Sequence, residues 1–144
     1  MSRIRSVCLA AAATLAWISA ANAAAANLLS VRVHGLRSEV GQVLIAVCTA
    51  ETFQDGRCRG EKRLGAAEAR TAVDFPGLPA GTYAVKVVHD ENGNGRLDTD
   101  WLGIPVEGYG LSNNPPKDRR PSFDASAFRI GNDPVAVDVS LFYR

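Results

Sequence analysis

The sequence predicts an all-β fold, a single antiparallel β-sandwich of about seven strands with one long ordered loop excursion. Three observations carry this. Short apolar runs alternate with polar residues at period two, the spacing of half-buried strands. Dense Gly, Pro and Asn clusters separate them, as turns between strands require. Beyond the first residues, no long apolar stripe recurs at helical spacing. A chain of 144 residues is long enough for one domain with a core.

The N-terminus stands apart. Arg3 and Arg5 precede an apolar, alanine-rich run from Val7 to Ile18, and Ala21 and Ala23 are spaced as A-x-A. This is the pattern of a secretory signal peptide over residues 1–23, cleaved after Ala23, with residues 24–144 as the mature domain. The product is then periplasmic or secreted. Cleavage removes two arginines and no acid, so the formal charge falls from +1 to −1. A near-neutral chain lacks the basic excess of a nucleic-acid surface. The mature chain carries no transmembrane segment, and its partners are expected in the cell envelope, a protein or a glycan. Cleavage also removes Cys8. The remaining pair, Cys48 and Cys58, is expected to form a disulfide in an oxidising compartment.

Along the mature chain, Leu29, Val31 and Val33 alternate with Ser30, Arg32 and His34, predicting a strand with one buried face. Gly35 to Gly41 reads as a connection. Val43 to Cys48 is apolar on both faces and reads as an interior strand covered on each side. Thr49 to Arg70 has no clean period, and Glu61 to Arg70 is read as a short helix interrupted by Gly65. Val73 and Phe75 share one face of a short strand. The turn Pro76-Gly77-Leu78-Pro79-Ala80-Gly81 follows, and Tyr83 to His89 is the strongest strand of the chain. From Asp90 to Ser126 the residues are turn-formers, but Trp101, Leu102, Ile104, Tyr109, Leu111 and Phe123 argue for an ordered excursion pinned by aromatics. A short strand is expected at Ala127 to Ile130 and a final one from Val135 to Tyr143.

The run Asp90-Glu91-Asn92-Gly93-Asn94-Gly95-Arg96-Leu97-Asp98 concentrates the chemistry. Oxygen-bearing side chains at alternate positions, followed by a glycine, can wrap a backbone around a hard cation. In this reading Asp90, Asn92, Asn94, Asp98 and the carbonyl of Arg96 hold Ca2+. The twelfth position of such a loop should carry a bidentate Glu, and here it is Trp101, with Asp100 or Glu107 the nearest substitutes. Fewer negative ligands imply weak affinity, roughly 0.1–1 mM. The other reading is metal-free, because Asn92-Gly93 and Asn94-Gly95 are turn dipeptides in their own right. Both readings stay open. A ligand surface formed by Trp101, Glu107, Tyr109 and Phe123, suited to a glycan or peptide, is the alternative functional site.

Enzymatic signatures are thin, and a non-enzymatic module is expected. His34 and His89 are the only histidines, and neither HxH nor HExxH spacing occurs. There is no G-x-S-x-G elbow.

Three segments, Phe75 to Val85, His89 to Asp98 and Gly103 to Asn114, closely resemble an uncharacterised bacterial exported family, the domain of unknown function 2141. The likeness runs from about Leu29 to Arg144 and implies fold and export. The Leu-Pro-x-Gly-x-Tyr turn and strand are also similar to prealbumin-like sandwich modules, including the B repeats of Gram-positive surface adhesins, and the expected sandwich is of immunoglobulin-like or prealbumin-like type. Those repeats bind calcium through a run like Asp90 to Asp98 ending in Gly-Ile, here Gly103-Ile104. They carry Glu where this chain has Trp101.

Overall fold

The computed structural model describes residues 27–117 and 120–144. The predicted signal peptide lies outside the described residues. Among the described residues, eight strands form two facing sheets: β1 (Leu29–His34), β2 (Gln42–Cys48), β3 (Gly60–Gly65), β4 (Val73–Phe75), β5 (Gly81–Asp90), β6 (Gly108–Leu111), β7 (Phe128–Ile130) and β8 (Val135–Ser140). One sheet has the order β4-β1-β8, the other β3-β2-β5-β6, with β7 joined to the start of β5. All pairings are antiparallel except β1 with β8, which run parallel from Leu29↔Val135 to His34↔Ser140. The fold is the predicted β-sandwich.

The alternating residues meet between the sheets. Leu29, Val31 and Val33 of β1 face Val43, Ile45 and Val47 of β2 and Val85 and Val87 of β5, all buried. This layer removes large apolar side chains from water, the main favourable contribution to folding. A second, smaller cluster of Cys48, Phe53, Ala84 and Leu111 lies on the other face of the larger sheet, with Phe123 packed against it. Phe123 opens a four-residue helix, α1 (Phe123–Ser126), and meets the Phe53 ring edge-on with centroids 5.9 Å apart. The predicted disulfide between Cys48 and Cys58 is formed and ties the Phe53 segment to the end of β2.

Three segments depart from the sequence reading. Of Glu61 to Arg70, expected as a helix, residues 61–65 belong to the edge strand β3, and only Glu68–Arg70 makes a helical turn. An edge strand has one neighbour and a wet outer side, so Glu61, Lys62 and Arg63 need no apolar alternation; charges there also discourage pairing with other chains. Inside the excursion, β6 pairs with β5 through Lys86↔Leu111 to His89↔Gly108. Its glycines are required by their neighbours: the Tyr143 ring occupies the space of a Gly108 Cβ, and the Ser140 carbonyl would lie 2.7 Å from a Gly110 Cβ. Finally, β2 is covered on its outer face only near Cys48, while Leu44 and Ala46 stay half-buried.

Candidate functional site

The β5 strand ends by delivering Asp90, fully buried, into the loop that follows. Its carboxylate organises that loop. Oδ1 accepts from the backbone N–H groups of Gly93 (2.8 Å) and Asn94 (3.1 Å), and Oδ2 accepts from Gly95 (2.7 Å). Gly93 and Gly95 have φ of +74° and +83°, which places both in the left-handed region that glycine enters without steric cost. Two side-chain turns continue the path. Asn92 Oδ1 accepts from Asn94 N and Asn94 Oδ1 from Arg96 N.

The amide nitrogens of Asn92 and Asn94 converge on one oxygen of Asp98, at 2.6 and 2.7 Å. The Asn94 and Asn92 hydrogen bonds, with a further one from Arg96, push the Asp98 carboxyl below its usual range. Glu107, 6% exposed, closes the loop across its base: it accepts from Glu91 N and Asp98 N, both at 3.0 Å. Thus Asp90, Asn92, Asn94 and Asp98 are gathered in one loop, with Glu107 tied to it. Among the described residues, no three His, Cys, Asp or Glu side chains gather as a metal-holding group. A cation here would need the Asn92 and Asn94 amides turned so that their oxygens face inward.

Around this base the chain is braced. The Glu91 carboxylate takes an ion pair from Arg37, which holds its pKa down, and a hydrogen bond from Ser38 Oγ. His89 is fully buried. Its Nε2 donates to the Val40 carbonyl, which can only accept, at 2.8 Å, and Nδ1 shares a hydrogen bond with the Tyr143 hydroxyl at 2.7 Å. Arg37 in turn stacks over the Tyr143 ring, 4.5 Å from its centroid. Arg37 and Tyr143 carried no signal in the sequence, since their role depends on segments more than a hundred positions apart.

Beyond Asp98 the chain makes a tight hairpin. Thr99 bridges Pro105, Asp100 N donates to the Ile104 carbonyl, and Asp100 Oδ1 accepts from Leu102 N and Ile104 N, both at 2.9 Å. Arg144 clamps the other Asp100 oxygen at 3.0 Å. On this well-bonded turn Trp101 is 89% exposed and Leu102 58%. The remaining residues of the expected ligand surface sit elsewhere. Glu107 is buried under the Asp90 loop. Tyr109 lies in β6, edge-on to Phe142 with centroids 6.1 Å apart, and Phe123 packs on Phe53. Among the described residues, no helix is long and apolar enough to cross a membrane.

Sandwich and disulfide together define a β-sandwich module with a densely hydrogen-bonded loop at the end of β5. The chain belongs to the family described as uncharacterized protein conserved in bacteria (DUF2141), whose model matches residues 31–138. No curated protein and no solved structure matches it.

Proposed function

We propose that this is an exported, non-catalytic recognition module that contacts a cell-envelope protein or glycan through the Trp101 turn. One observation carries the reading: an indole almost wholly in water on a turn held by four backbone and side-chain hydrogen bonds and an arginine clamp. Large aromatic side chains on rigid supports lose little conformational freedom on binding and dominate interface energetics. The non-catalytic part is supported by occupied groups. The His89 ring nitrogens, the Asp90 carboxylate and the Glu107 carboxylate are all bonded within the fold.

Trp17 belongs to the predicted leader, so residues 24–144 contain Trp101 as their sole tryptophan. Glycan and peptide arrays probed with this chain and with Trp101→Ala test the proposal. Binding by wild type alone, with a blue shift of the tryptophan emission on adding the hit, is expected. Equal signals from the two proteins would remove Trp101 from the function.

A second reading is favoured by the gathering of Asp90, Asn92, Asn94 and Asp98: the loop takes a structural Ca2+, with the Arg96 carbonyl as a further ligand. It predicts that calcium raises the melting temperature of wild type and leaves Asp90→Ala unmoved. A wild-type melting curve indifferent to calcium would discard it.

A further inference from the structure

The solvent-facing side of an antiparallel sheet is ordinarily polar, and the outer face of β3-β2-β5-β6 is polar only in part. Its register sets Arg63, Leu44, Val88 and Tyr109 in one row across four strands, and Glu61, Ala46, Lys86 and Leu111 in the next. The Phe53 and Phe123 cluster covers this face near Cys48. Beside it runs an open trough of about 460 Å3, floored by Leu44, Ala46 and Val88. Gly56 and Cys58 of the disulfide-tied segment form one bank, and Gly95, Arg96 and Leu97 of the Asp90 loop form the other. A second hollow of about 240 Å3 continues it past Lys86, Val88 and Leu97 to Tyr109. The larger volume is that of a small-molecule site.

The charges of the trough are one-sided. Lys86 is half-buried. Its Nζ donates to the Phe53 carbonyl at 2.7 Å and lies over that ring, so a neutral oxygen and a π-face are its partners. Desolvation lowers its pKa, only partly offset by the charge of Glu61. The Arg63 guanidinium rests on Gly95, where a Cβ would lie 2.9 Å from Nη2, and it makes no hydrogen bond or ion pair to a described residue. Arg96 stands on the same bank, held by Asp98. Lys62 also borders the trough, but its Nζ turns over the Phe75 ring. Glu61 is the one acid of the lining among the described residues, and it accepts from Cys58 N.

We propose that this trough binds a small amphiphilic anion, an acyl carboxylate whose chain lies on Leu44 and Val88 and whose head sits between Arg63 and Lys86. The apolar floor and the excess of cations over acids then have one common purpose. This site is separate from the Trp101 turn, so either assignment can fail alone.

The test is calorimetric titration of the purified protein with decanoate, decanol and decyltrimethylammonium. Decanoate is expected to bind saturably at one site, with decanol about tenfold weaker for want of the charge-assisted bonds. The cationic probe should not bind. Arg63→Glu, at a side chain that makes no hydrogen bond or ion pair to a described residue, should weaken decanoate at least as much at an unchanged melting temperature. Arg63→Gln serves in its place if the glutamate variant does not fold, and Trp101→Ala should bind as wild type does. Absence of saturable decanoate binding, equal affinity for all three probes, or full affinity in a folded Arg63 variant would each overturn the proposal.

Discussion

Asp90→Ala is the sharpest perturbation of this fold. The wild-type carboxylate is fully buried and accepts three backbone N–H bonds at 2.7 to 3.1 Å. Hydrogen bonds to a charged group contribute roughly 1.5–3 kcal/mol each. Three of them do not add in full, because the loop can open and return its N–H groups to water. A loss of about 3–4 kcal/mol is therefore expected, near the upper end for single substitutions. For a domain of this length that lowers the melting temperature by about 10–15 °C. Asp90→Asn should fall between the two proteins, since it keeps the oxygen facing Gly93 and Asn94 but turns an amide on Gly95 N–H. Thermal and urea unfolding followed by circular dichroism, with chelator throughout, isolates the hydrogen-bond effect from any metal. An Asp90→Ala protein within about 1 kcal/mol of wild type would show that the carboxylate does not organise the loop.

Gly41→Ala should cost about 3 kcal/mol or more in urea unfolding: its φ is +78°, and a Cβ would strike the Asp90 carbonyl and come within 2.6 Å of Glu91 Cα. Reduction of Cys48–Cys58, ten positions apart, should remove about 3 kcal/mol, read from the shift of the urea midpoint. In acid, Asp138 supplies a signed expectation. Hydrogen bonds from Arg32 and His34 hold its pKa at about 2, below its ordinary 3.8, so its stabilising effect is complete above the ordinary value and fades as pH falls from there toward 2. Asp138→Asn should flatten the acid limb of a stability–pH curve over that interval, and an unchanged limb would refute it.

Strands with one face on the core were legible because burial imposes period two on their residues. Leu29, Val31 and Val33 announced β1, and Tyr83 to His89 announced β5. The edge strand β3 was not, since its side chains answer to solvent and to only one neighbour. Nor was β6, whose Gly108 and Gly110 look like turn residues until Tyr143 and Ser140, far along the chain, are seen to need the space. At the loop, spacing picked out Asp90, Asn92, Asn94 and Asp98, and named Glu107 as a residue that could complete them. Spacing could not tell that Glu107 would take the N–H groups of Glu91 and Asp98, because hydrogen-bond partners depend on where the chain returns. The apolar character of both faces of Val43 to Cys48 was visible, but not that half of the outer face would stay open.

The parallel pairing of β1 with β8 sets an order of events. Arg32 and Asp138, bonded neighbours across these strands, lie 106 positions apart in the chain. Loop-closure entropy on that scale must be met before any contact between them is gained, a cost that slows folding. The pairings of β2 with β3 and with β5 span shorter loops and are expected to form first. Until residues 135–140 arrive, the larger sheet has only β1 and β4 to face, and β1 carries an open edge beside Val31 and Val33. A chain truncated before Val135 should therefore aggregate rather than persist as a smaller sandwich.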